Sequence, residues 1–131
     1  MKTENEIMKY IYDWLVGLNI GDVFQDRKPY DDTTKQRPKR GYIVFTFEGG
    51  IEDLGPFFHG VCNVSLGCRD KSHFVADMTT LGSMSDVFRS QFDYNKDGMH
   101  IIDIDYQDIY SDDMGNHEHR YVFEVFANKT Y

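Results

Sequence analysis

Ile7, Ile11, Trp14, Leu15 and Leu18 recur at spacings of three and four, which lines one side of a helix. Thr3 precedes them with Glu6 three residues on, a capping box, and Gly17, Asn19 and Gly21 mark the end. "DVFQDRKP" predicts a short strand whose later part Pro29 confines to a sheet edge. The next stretch, "YDDTTKQRPKR", has no apolar period and predicts a long exposed loop.

Period-two patterning then takes over. "GYIVFTFEGG" is dense in β-branched and aromatic residues, and "FFHGVCNVSLGC" places Phe58, Cys62, Val64, Leu66 and Cys68 on an inner face. From Ser72, an expected N-cap, the residues Phe74, Met78, Leu81, Ser85, Phe88 and Phe92 keep a helical spacing up to "DYNKDG". Gly82 in that helix costs about 1 kcal/mol relative to Ala, so packing must hold it. "MHIIDIDYQDIY" and "HRYVFEVFANK" predict two final strands joined through "SDDMGNHE". The predicted order is α-β-β-β-α-β-β. This is an α+β fold in which a mostly antiparallel sheet of four to five strands carries two helices on one face. On the other face the pattern places Ile101, Val122 and Phe126 among Asp103, Asp105, Arg120 and Glu124. That mixture is apolar enough to suggest cover by a partner.

At 131 residues the chain is expected to form a single domain, 1–131, and its 40% hydrophobic content with nine Tyr, ten Phe and one Trp supports a packed core. The net charge of −8 opposes nucleic-acid or anionic-membrane partners, which require a basic face. No stretch approaches the roughly 20 apolar residues of a membrane span, and "MKTENEIMKY" lacks the apolar core of a signal peptide, so a cytoplasmic location is expected. Cys62 and Cys68, six apart on one strand, lie too far from each other to bridge and are expected to be reduced and inward-facing.

"DYNKDG" opens like a calcium loop, with Asp93, Asn95 and Asp97 alternating before Gly98. The closing Glu is missing, since Ile104 occupies its position, and a strand follows where a second helix belongs. The stretch therefore predicts a turn connecting helix to strand. His117 and His119 share a strand face but lack a third ligand at zinc spacing. Asp103 and Asp105 are near neighbours able to share a cation or a proton, although a solvated acidic face is the commoner arrangement. Gly49 and Gly50 in "FEGGIEDLG" are followed by no nucleotide-loop residues. No nucleophile with its base, phosphate loop or metal set emerges, and the expectation is a protein without catalytic activity, cofactor or metal.

Charge is distributed unevenly. Between Asp26 and Arg40 lie six basic residues, Arg27, Lys28, Lys35, Arg37, Lys39 and Arg40, against three acidic ones. A local charge of +3 in a chain of −8 suits head-to-tail self-association, the basic segment of one copy meeting the acidic body of the next. Those six residues, with Asp103 and Asp105, are the expected assembly interface.

The N-terminal helix, "DVF" entering a polar loop with prolines, "YIVFTF", "HGVCNVSLGC", the helix "SHFVADMTTLGSMSDVFRSQF" and the closing "MHIIDIDYQDIYSDDMGNHEHRYVFEVF" together resemble the tail-terminator and tail-completion proteins of long-tailed phages. The resemblance covers nearly the full chain and is one of order and pattern, since that family offers no catalytic motif to match. It implies a structural virion protein from a phage or prophage that forms a ring on the finished tail tube. Its implied partners are itself, tail-tube proteins and neck proteins, in the host cytoplasm during assembly and then in the virion tail. Two other classes fit the sequence: an immunity-type acidic binding module, and a small metal-dependent enzyme built on Asp93, Asp97, Asp103 and Asp105.

Overall fold

A computed structural model describes residues 3–26, 41–91 and 94–130. Helix α1 spans Glu4–Gly17 and is capped by Thr3, whose hydroxyl accepts from the Glu6 backbone N–H at 3.2 Å. Its buried residues Ile7, Ile11 and Leu15 are those of the predicted face, and Trp14 and Leu18 flank them. Asn19 then leaves the helix in the left-handed region.

Six strands follow: β1 (Asp22–Gln25), β2 (Tyr42–Asp53), β3 (Phe57–Arg69), β4 (Tyr94–Lys96), β5 (Met99–Ser111) and β6 (Asn116–Asn128). They form one sheet in the order β1-β2-β3-β6-β5-β4. The sheet is mixed. β1 runs parallel to β2, and the four other neighbouring pairs are antiparallel. The α+β class holds, but the sheet has six strands rather than four to five, because "DYNKDG" contributes one. Lys96 pairs with Met99, and Asp97 and Gly98 between them both have positive φ. That is a two-residue hairpin turn of the primed kind, whose twist suits antiparallel strands. The motif therefore joins strand to strand, not helix to strand.

Helix α2 spans Met78–Arg89, and its cap is Asp77 rather than Ser72. Asp77 accepts from both the backbone N–H and the hydroxyl of Thr80, while Ser72 pairs with Val75 in an isolated bridge before the helix begins. Phe74 thus lies outside α2 in a positive-φ conformation, and Phe92 lies outside the described residues. Leu81, Met84 and Phe88 of α2 join Ile7, Ile11 and Leu15 of α1 over the inner sheet face. Phe88 sits among the rings of Trp14, Tyr121 and Phe123. Both helices therefore cover one face, as the patterning predicts, and Phe58, Cys62, Val64, Leu66 and Cys68 all point into that core.

The last hairpin departs from strict alternation. β5 bulges between Ile102 and Asp105 and again between Tyr106 and Asp108, with Asp103 in positive φ. Each extra residue shifts the phase of the strand by one position. Met99 and Ile101 are consequently buried ahead of the first bulge, and Ile104 packs on the core after it. Ile101, expected outside, belongs to the core.

Candidate functional site: the open face of the sheet

No described helix covers the outer face of the sheet. Strand register carries Val44 and Thr46 of β2, Val61, Asn63 and Ser65 of β3, and Val122, Glu124 and Phe126 of β6 across it. Most of these remain partly exposed.

One polar row crosses four strands on this face. His59 of β3 contacts Glu52 of β2 through Nδ1 at 2.7 Å and Glu124 of β6 through Nε2 at 3.0 Å. A ring with a carboxylate at each nitrogen is satisfied only when both nitrogens carry protons. The Glu52 hydrogen bond, aided by Glu124, accordingly raises the His59 pKa against the opposing effect of burial. At the far end Asp103 of β5 shares a hydrogen bond with Glu124, which raises the Asp103 carboxyl above its ordinary value. Two carboxyls make such a bond only while one keeps its proton.

Aromatic surface adjoins the row. The Phe126 ring lies 4.6 Å from that of His59 and 5.6 Å from that of Phe57. Phe57, Phe126 and His100 line a cleft of about 350 Å³ at this end of the sheet.

The expected interface residues divide. Arg27, Lys28, Lys35, Arg37, Lys39 and Arg40 lie outside the described residues, as does Asp93. Asp103 and Asp105 are both exposed on β5, but the bulge separates their roles: Asp103 pairs with Glu124, whereas Asp105 stands opposite Val122. Asn95 lies on β4, and the Asp97 carboxylate accepts from the Tyr10 hydroxyl at 3.1 Å. Glu52, His59 and Phe57 escaped the sequence reading. Their partnership depends on strand register, and only the alternation of His59 with Phe58 and Gly60 marks it as outward-facing.

A second cluster occupies the opposite end of the sheet. Asp70 contacts His117 Nδ1 at 2.6 Å beside a cavity of about 490 Å³ whose lining includes Arg69, Lys71 and His73. Cys68 is the register partner of His117 across the β3–β6 ladder. The electrostatics oppose thiolate formation, because burial pushes the Cys68 thiol up to about 11 and the nearby Asp77 and Asp70 add to that shift. His119, two residues on, contacts the Tyr106 hydroxyl at 2.8 Å. The two histidines thus serve separate partners. Among the described residues no group of three His, Cys, Asp or Glu side chains is placed to hold a metal ion, and no helix is long and apolar enough to cross a membrane.

No protein-family model matches the chain, and no curated protein does.

Proposed function

We propose that this protein is a non-catalytic structural subunit that caps or completes the tail tube of a long-tailed phage and contributes to head–tail joining, acting through ring-like self-association. The observation that carries the reading is the open sheet face, where aromatic surface and a hydrogen-bonded carboxylate row lie side by side without a covering element among the described residues. The β5 edge of the sheet suits contact less well. β4 covers only the start of β5, and the remainder of that strand carries two bulges with Asp103, Asp105 and Asp108 along it. Bulges and charge are the usual protection against strand addition. A ring requires heterologous contacts, and an acidic face together with a basic segment in the sequence supplies two unlike patches.

An acidic binding module for a basic protein is the second reading, favoured by the exposed Asp105, Asp108 and Asp113 on and after β5. Tail assembly separates the two. Extract lacking this protein is expected to yield tails of uncontrolled length or tails unable to join heads, and added protein is expected to correct the defect. Normal tails without it would remove the tail reading. Tight one-to-one capture of a basic partner with no effect on tails would favour the module.

A further inference from the structure

We infer that the cavity of about 490 Å³ at the Asp70–His117 end of the sheet binds a small zwitterion of the α-amino-acid kind. Its ammonium would meet Asp70, its carboxylate Arg69 and Lys71, and its apolar side chain Phe74 and Met114. The inference goes beyond the tail reading and does not depend on it.

Asp70 carries the argument. It belongs to the cavity lining, yet its side chain is only 4% exposed. A carboxylate only accepts, so His117 Nδ1 donates to Oδ1 at 2.6 Å. Oδ2 is buried and meets no donor among the described residues. Asn116 repeats the pattern beside His117. Its amide nitrogen donates to Asp112 Oδ2 at 2.8 Å, which fixes the orientation of the amide and leaves Oδ1 buried without a donor. Both acceptors belong to one end of the β3–β6 ladder: Asn116 is the register partner of Arg69, and the Asp70 backbone N–H donates to the Gly115 carbonyl at 2.8 Å. A buried acceptor without a donor bears its full desolvation penalty, and more so when charged. An ammonium brings three N–H donors and the opposite charge, so it relieves that penalty.

The rest of the lining selects the rest of the ligand. Arg69, Lys71 and His73 are exposed on the same cavity. They would repel a plain amine, whereas an anionic group next to the ammonium turns that repulsion into attraction. Asp113, the other carboxylate on the lining, is exposed to solvent. Phe74 is 55% and Met114 39% exposed, and they offer an apolar substituent its surface. Phe74 also holds a φ of 55°, uncommon for a bulky residue, with its ring 4.2 Å from that of His73.

L-phenylalanine, phenylpropionate and phenethylamine, each titrated into the full-length protein and followed by NMR, separate the two charges. L-phenylalanine should give saturable shifts at Asp70, Met114, Gly115 and His117. Each compound that lacks one charged group should bind about tenfold more weakly or less. Asp70→Asn keeps an acceptor for His117 but removes the charge, and it should weaken L-phenylalanine by about tenfold, with Trp14 fluorescence checking the fold. Lys71→Glu, at an exposed position, should weaken the amino acid while leaving phenethylamine no weaker, and it serves whatever Asp70→Asn does to folding. The inference is overturned by absence of saturable shifts with L-phenylalanine, by either half-ligand binding as tightly, or by unchanged affinity in Lys71→Glu. Shifts confined to the cleft of Phe57, His100 and Phe126 would overturn it too. None of these readouts involves tails, so failure of the tail reading leaves the test intact.

Discussion

The Tyr42 hydroxyl donates to Glu118 Oε2 at 2.5 Å, reaching from β2 to β6 over Gly67 of the intervening β3. Glu118 is 1% exposed, and Arg120 holds its other oxygen at 3.2 Å. Burial pushes the tyrosine well above its ordinary range, so the phenol keeps its proton and donates. A Cβ at position 67 would fall within the Tyr42 ring. Tyr42→Phe is expected to cost about 1–3 kcal/mol, because it strips a buried carboxylate of a donor. Gly67→Ala should cost at least as much, since the ring must leave. The double variant should lose less than the sum, as both changes break the same bond. Urea denaturation of the three proteins gives the comparison.

Phe88 is fully buried against Trp14, Tyr121 and Phe123, which makes it the contact between α2, α1 and the sheet. Phe88→Ala should destabilise by about 3–5 kcal/mol through lost transfer energy and the cavity left behind. Trp14, the one tryptophan, reports the loss directly as a red-shifted emission and an earlier urea midpoint.

Gly82 lies inside α2 with open space where a Cβ would project. Gly82→Ala should therefore stabilise the protein by up to about 1 kcal/mol, since Ala loses less backbone entropy on entering a helix. A higher urea midpoint at unchanged slope is the expected outcome, and a lower one would mean that the site is tighter than the geometry indicates.

What the sequence disclosed and what it concealed have distinct physical origins. Ile7, Ile11 and Leu15 were legible because a 3.6 period over four turns admits one face, and the β3 core set from Phe58 to Cys68 was legible because no bulge interrupts its pairing with β6. Ile101 was misplaced because Asp103 inserts one residue, and an alternation count cannot see an insertion that leaves the composition plausible on both sides. β4 was concealed because three residues are too few to show a period. The α2 cap was misread because Ser72 and Asp77 are both acceptable N-caps, and only the hydrogen bonds to Thr80 choose between them. Of the site, Glu124 and Asp103 were legible as outward residues. Glu52 and His59 were not, because their meeting is a property of register across three strands.

Cys62 and Cys68 are free and buried, and burial raises both thiols above their ordinary value. Labelling of native protein by a thiol reagent should be slow and should become fast in denaturant, since thiolate, not thiol, reacts. Cys62, the more deeply buried and the more strongly raised, should react later than Cys68. Rapid native labelling of both would place the inner face of β3 outward.

His59 and His119 should titrate in opposite directions from about 6.5, the ordinary value for histidine. Glu52 and then Glu124 raise His59, while burial and then the Arg89 charge lower His119, whose Nδ1 faces the Tyr106 hydroxyl. The signs for stability follow from which state binds more protons. His59 contributes stability that is fully present below about 6.5 and is lost as pH rises through its elevated folded value. His119 does the reverse: as pH falls below about 6.5 the unfolded chain takes up a proton that the folded one refuses, and stability is lost down to the lowered folded value. NMR titration of the ring protons should resolve one histidine above and one below the ordinary value. His119→Gln should then flatten the loss of stability on mild acidification, whereas His59→Gln should steepen it by removing the compensating gain. If both histidines titrate at the ordinary value, neither the Glu52–His59–Glu124 bridge nor the burial of His119 persists in solution.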